Sequence, residues 1–409
     1  MQKIQGNIVN IFDNSIFFGE VTVTKGRIFG IQKFGEPIEN YEYILPGFID
    51  AHVHIESSML VPAEFAKLAV VHGTVATVSD PHEIANVLGI EGVNFMIQNG
   101  KEVPFKFCFG APSCVPATRF ESSGAILSDK DIAILMASDD IGYLAEMMNY
   151  PGAINGDLEI LNKLASAVKY NKPIDGHAPG LRRMDAEAYF NRGITTDHEC
   201  FTLEEAKEKL DLGVKVIIRE GSAAKNFNAL IPLAHEHSEQ LMLCSDDKHP
   251  DDLVLGHINL LVKRALDFGI DLFKVLKMAS LNPVRHYNLP VGLLREGESA
   301  DFIIVNNLKD FSVLKTFING ECVAEAGKSN IKPNKPILIN NFKATKISIE
   351  DIKFDFSEES RKLNVIKVND GQLVTDKVKY ELPINKTAIN DYLGEKDILK
   401  LVVYNRYKE

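Results

Sequence analysis

The sequence predicts an α/β chain centred on a (β/α)8 TIM-like barrel, and three observations predict it. Eight short apolar or β-branched runs alternate with helical patterns over about 240 residues, the length such a barrel needs. Histidines and carboxylates follow the ends of these runs. β-rich segments lie on both sides of the alternation, each too small to close a core alone. A doubly wound open sheet is the rival, but no phosphate-cradling Gly-x-Gly-x-x-Gly follows the first run.

Residues 1–45 carry several short β-rich runs, with a turn at Lys25-Gly26. They are expected to pair with 290–330, again strand-like with a turn at Asn319-Gly320, as a split β-sandwich domain. Between them, 46–289 forms the barrel. Its strands are expected near 47–52, 74–79, 105–109, 141–145, 173–176, 194–197, 215–218 and 241–245. Two helical patterns illustrate the spacing. One follows Asp157 and places Leu158, Leu161, Leu164, Ala165 and Val168 on one face. The other opens at Thr202, with Glu205 three residues on, and closes at Gly213. Residues 332–336 read as a linker. Residues 337–409 carry short strands and many charges, with a strand-like run at 401–409 and no cluster suggesting chemistry.

Composition narrows the function. With 409 residues, 45% hydrophobic and 25% charged, the chain reads as an ordinary globular protein. A net charge of −11 without a local Lys/Arg cluster argues against a nucleic-acid partner. No apolar run has the length of a membrane span, and no signal-peptide pattern opens the chain. Five cysteines without a Cys-x-x-Cys pair read as free thiols in a reducing compartment, hence a cytoplasmic protein.

The strand ends carry the chemistry. His52 and His54 sit one residue apart, so both imidazoles project from one face of a strand and can grip one cation. Asp80, His82 and Glu83 follow the second run, Ser113 lies beyond the third, and Glu146 ends the fourth. His177, His198, Arg219-Glu220 and Asp246-Asp247 follow the fifth to eighth. Each has a structural alternative. His52 and His54 could be a satisfied pair, Glu146 a cap or ion-pair partner, His177 and His198 core histidines. Asp246 could be a helix N-cap, and Asp247 is the better candidate for that role. Asp80, His82 and Glu83 divide evenly between structure and function, and Cys244 reads as packing. His235, His237, His249, His257 and His286 are read as structural. Together, two histidines, a carboxylate, two single histidines and an aspartate suit two cations. Metal binding lowers the pKa of water from about 15.7 toward 7, and a nearby carboxylate such as Asp246 can move its proton. That is hydrolysis at an electrophilic carbon.

The runs 46–54, 52–58, 79–83, 145–152, 175–180, 196–199 and 244–247 resemble the amidohydrolase superfamily, and within it the bacterial adenine deaminase family. The resemblance covers roughly residues 1–330. It implies hydrolysis of adenine to hypoxanthine and ammonia, with metal-activated hydroxide attacking C6. It implies two divalent metal ions, Mn2+ or Fe2+ with Zn2+ as an alternative, on His52, His54, Glu146, His177, His198 and Asp246. Glu146 would bridge or ligate and protonate the ring, and Asp246 would carry the proton to ammonia. Glu56, Ser57, Asp80, Glu83 and Ser113 would line the purine pocket. A homodimer is implied. Family members continue past residue 409, so 337–409 reads as the opening of a further C-terminal section, and a shortened, non-catalytic binding relative is one alternative. Cyclic amide hydrolysis or amino-sugar deacetylation is another.

Overall fold

The computed structural model describes all residues except 119, 333, 334, 336, 340, 341, 354–361, 371–373, 384–388, 408 and 409. The expected linker at 332–336 lies partly outside these residues. The chain forms two compact units, Met1–Leu338 and Ile339–Glu409.

In the first unit, β1 (Gln2–Asn10), β2 (Ser15–Thr24), β3 (Arg27–Gly35) and β4 (Tyr43–Pro46) precede eight barrel strands. These are β5 (Phe48–Val53), β6 (Thr74–Ser79), β7 (Lys106–Ala111), β8 (Ile141–Met147), β9 (Ile174–Gly176), β10 (Thr196–Asp197), β11 (Lys215–Arg219) and β12 (Leu241–Cys244). Then come β13 (Phe302–Val305), β14 (Val313–Ile318), β15 (Glu321–Glu325) and β16 (Lys328–Ser329).

The flanking strands join in one eight-stranded sheet of order β16-β15-β14-β13-β4-β1-β2-β3. The junction is the antiparallel pairing of β4 with β13, Phe302 opposite Pro46 and Val305 opposite Tyr43. Side chains alternate across this sheet, as a period of two demands. Ile8, Ile44, Phe302 and Ile304 join Val21, Val23, Ile28 and Phe317 in a core of the sheet's own. Their neighbours Val9, Leu45, Ile303 and Val305 face the other way, into a core shared with barrel residues such as Ile218 and Leu243. The sheet therefore anchors the barrel through one face and its own two ends through the other.

The barrel strands run parallel, β5 to β9 in one ladder and β10 to β12 in a second. β5 and β6 are buried along their whole length, as parallel strands covered on both faces must be. Two backbone contacts join the ladders. The Thr195 amide donates to the Ile174 carbonyl at 2.9 Å. On the other side, Val53 bridges Asp246 in parallel, and the Asp246 amide donates to the His52 carbonyl at 2.9 Å. The first and last strands thus meet where the candidate ligands lie.

One helix turns a different face inward than expected. In Leu158–Lys169 the buried stripe is Ile160, Lys163, Leu164 and Ala167, while Leu158 and Val168 are 77% and 63% exposed. Both stripes fit a 3.6-residue period, and the choice turns on Lys163. Its stem joins the core, and its ammonium donates to the Ser113 and Leu127 carbonyls at 3.0 and 2.8 Å. Read as polar, Lys163 hides the true face. The helix Leu203–Asp211 is capped as expected, Thr202 accepting from the Glu205 amide at 3.2 Å. The Glu205 carboxylate does not return to Thr202. It accepts instead from the Phe201 and Gly180 amides at 3.2 and 2.9 Å.

The second unit contains a hairpin of β17 (Lys362–Lys367) and β18 (Asp376–Glu381) and a helix, Ile389–Glu395. The strand-like run expected at 401–409 is not a strand over its described residues 401–407. No helix among the described residues is long and apolar enough to cross a membrane.

Candidate active site and metal centre

The residues singled out at the strand ends converge on the C-terminal rim of the barrel, where this architecture places its chemistry. His52 and His54 leave the end of β5 with their Nε2 atoms 3.2 Å apart. Asp246 Oδ1 stands 3.5 Å from the first and 3.4 Å from the second. Donors held about 2.1 Å from a common cation lie about 3.0–3.4 Å apart in octahedral or tetrahedral arrangements. The triangle has the dimensions of a coordination shell. Its members are all buried, and the donor chemistry is two imidazoles and a carboxylate. These residues fit a divalent cation.

Backbone and hydrogen bonds fix this triangle from beneath. His54 Nδ1 is 3.0 Å from the Asp80 carbonyl, which leaves Nε2 for the site. Asp246 adopts φ 52°, a left-handed conformation uncommon outside glycine, while its own amide and carbonyl stay bonded to His52 and His54. Below them, Asp50 accepts from the Ser245 amide at 3.0 Å and the His52 amide at 3.3 Å. Its other oxygen meets the Ser245 hydroxyl and, at 2.7 Å, His257 Nε2. His257, read from sequence as structural, is therefore buried directly under the site, its Nδ1 2.7 Å from the Thr74 hydroxyl.

Glu146, at the end of β8, faces a second group. Its Oε2 lies 2.7 Å from His177 Nδ1 and 3.2 Å from His198 Nε2. Its Oε1 lies 3.5 Å from His54 Nε2 and 3.3 Å from His82 Nδ1. Glu146 thus spans both groups, and His198 stacks on His52 with ring centroids 4.0 Å apart. The cap role considered for Glu146 and the N-cap roles considered for Asp246 and Asp247 are not adopted. The helix Pro250–Leu255 has His249 at its N-cap, without a side-chain cap bond.

The electrostatics follow from burial opposed by partners. Burial would raise the Glu146 carboxyl, but His177, His198 and His82 hold it well below the usual range. Burial would likewise raise Asp246, and the bonds to His52 and His54, with the charges of His198 and Arg219, hold it well below. His177 would be lowered by burial, yet the Glu146 carboxylate brings it up to about 9. Burial and the neighbouring Glu83 push Glu56 up to about 8.

The expected pocket residues divide. Among the described residues, Glu56 Oε2, Asp80 Oδ1 and Glu83 Oε2 are buried oxygens without a hydrogen-bond partner, Glu83 Oε2 standing 3.7 Å from His54 Nδ1. Ser57 and Ser113 are committed elsewhere. The Ser57 hydroxyl donates to Asp247 Oδ1 and the Ser113 hydroxyl to the Glu146 carbonyl, each at 2.5 Å. Ser113 is buried, and its hydroxyl supports the Glu146 backbone.

Sequence reasoning assigned no role to Arg219 or Glu199. Arg219 ends β11 with its guanidinium buried against Glu199 and Asp246. The available signal was a cation closing the apolar run Val216-Ile-Ile218, where an unpaired charge would be costly.

A model of the amidohydrolase family matches residues 43–323. A protein named adenine deaminase from Borreliella burgdorferi is 52% identical over 413 residues, spanning all of this chain and 74% of the relative. One of the same name from Methanosarcina mazei is 50% identical over 422 residues, spanning all of this chain and 75% of the relative. Among solved structures, a β-aspartyl dipeptidase from Fervidobacterium islandicum superposes with a TM-score of 0.58 at 16% identity, over 81% of this chain and 98% of its own. The last likeness concerns the fold alone.

Proposed function

The chain belongs to the amidohydrolase family, and from that premise we propose how its strand-end residues act on adenine. The reaction is the hydrolytic deamination of adenine to hypoxanthine and ammonia, the activity named for relatives half identical over the whole chain. The observation that carries the chemistry is the His52–His54–Asp246 triangle, whose edges are those of a cation's coordination shell.

His52, His54 and Asp246 would hold one cation and His177 and His198 a second, with the Glu146 carboxylate within reach of both groups. The mixed imidazole and carboxylate donors suit Mn2+, Fe2+ or Zn2+. A divalent cation there supplies hydroxide at neutral pH by lowering the pKa of bound water. The protein's own groups do the rest. Asp246 Oδ1 accepts the proton of the attacking water and passes it to the departing amine. Glu146, a carboxylate in this setting, takes the other proton of the attacking water and delivers it to a purine ring nitrogen as C6 becomes tetrahedral. The unpartnered oxygens of Asp80 and Glu83 accept from N–H groups of the base, and Glu56, protonated below about 8, offers its O–H to a ring nitrogen. Ser57 and Ser113 act indirectly, by holding Asp247 and Glu146.

In this reading 46–289 is the catalytic barrel, and 1–45 with 290–330 is its β-sandwich support. The five cysteines are free, which supports a reducing, cytoplasmic setting, and the active form is a homodimer acting on a free base. The test is ammonia release from adenine by protein supplied with Mn2+, beside Asp246→Asn. Turnover that collapses in the variant supports the assignment. A folded, metal-loaded parent without turnover refutes the substrate, and equal turnover in both refutes the role of Asp246.

A further inference from the structure

Arg219 heads the fully buried side chains of the described residues by volume. Its guanidinium binds two carboxylates that come from different strand ends. It grips Glu199 with both Nη1 and Nη2, the latter at 2.7 Å, and Nη1 also donates to Asp246 Oδ2 at 2.7 Å. Glu199 deserves a role of its own in this geometry. Its Oε1 stands 3.4 Å from His198 Nε2 and 3.5 Å from His177 Nδ1, and the three could hold a cation together. Both its oxygens nevertheless accept hydrogen bonds from the arginine fork. Asp246 is divided in the same way, one oxygen on Arg219 and the other towards His52 and His54.

We propose that Arg219 is a positioning residue that decides which carboxylate oxygens reach the cations. It commits Glu199 Oε1, which stands within reach of His177 and His198, to the guanidinium rather than to a cation, and it leaves Asp246 Oδ1 unclaimed. The inference rests on the metal-site assignment proposed above. A planar fork with several fixed donors can occupy three oxygens at once. An ammonium, as a point charge on a flexible stem, cannot hold them in the same directions.

The test is Mn2+ K-edge X-ray absorption on the full chain, parent against Arg219→Met, with steady-state kinetics on adenine alongside. The variant is expected to gain an oxygen donor that disappears again when Glu199→Gln is added. Its kcat falls roughly 10–100-fold, as for other lost outer-shell partners, while KM for adenine stays within about threefold. Arg219→Lys keeps the charge and covers the case in which the methionine variant does not fold. It is expected to fold, to lose about tenfold in kcat and to shift the Mn2+ shell in the same direction. An unchanged shell in whichever of the two variants folds overturns the proposal, as does a kcat for folded Arg219→Lys within about twofold of the parent. Parent turnover reports on the functional reading and the difference in coordination reports on Arg219, so the two failures are told apart.

Discussion

The two halves of the site are built by different means. His52, His54 and Asp246 are placed by backbone, since the first and last barrel strands hydrogen-bond to each other at these residues. The donors stand 3.2–3.5 Å apart, spaced for a cation. Glu146, His177 and His198 are placed by side chains, and His177 is drawn onto Glu146 at 2.7 Å, a hydrogen bond rather than a coordination edge. One half is thus preorganised at the spacing a cation requires. The other half holds a proton between His177 and Glu146, which a cation bound there would displace.

The largest effect that sharpens the contrast is expected from Asp246→Asn. It removes the carboxylate of the preorganised half, and kcat should fall about 10³-fold, within the range of general acid–base contributions. Ammonia release measures it, and a loss under tenfold would move the proton transfer to another group. The kcat of His177→Gln should fall next, by at least the roughly 10–100-fold typical of losing even an outer-shell partner. Elemental analysis after gel filtration should then show metal retained more firmly than in His52→Ala, and equal loss from both would erase the distinction between halves.

Asp50→Asn tests the scaffold beneath His52 and Ser245. About tenfold in kcat is expected, at the low end for outer-shell partners, with the far-ultraviolet spectrum unchanged. The gentlest test is pH. The His177 pKa is raised from 6.5 to about 9 in the folded, chelator-treated protein. Its ion pair with Glu146 is therefore fully present below 6.5 and lost as pH rises through 9. Thermal melting of the chelated protein should weaken across that window, while added Mn2+ should stabilise more at pH 9 than at pH 6.5. A Tm gap that narrows with pH would mean that no proton is displaced.

Much of this site is legible in the sequence because the ligand chemistry is local. The pair His52-x-His54 after an apolar strand, and single histidines after later strands, can be read without coordinates. A further signal is present and easily passed over. Asp50-x-His52, Asp80-x-His82 and Asp175-x-His177 repeat one spacing, and each aspartate lies buried beside or beneath the rim. What sequence does not reveal is pairing across the barrel. Arg219 and Glu199 meet only because β10 and β11 lie side by side, and His257 reaches Asp50 from a helix start far along the chain. The inward face of Leu158–Lys169 was hidden for a related reason. Lys163 counts as polar in any pattern, yet its ammonium finds two carbonyls inside the unit.

The junction of β12 with β5 has a further consequence. Asp50 and Ser245 are 195 residues apart in sequence, and their strands meet through one bridged pair of residues rather than an extended ladder. A cation shared by His52, His54 and Asp246 would be a cross-link across that junction, tying off a loop that includes nearly the whole barrel. Loop-closure entropy for a covalent tie of such length is on the order of 5 kcal/mol. Metal loading should therefore act on the barrel as a disulfide would, making its resistance to unfolding a property of the bound ion as much as of the packed core.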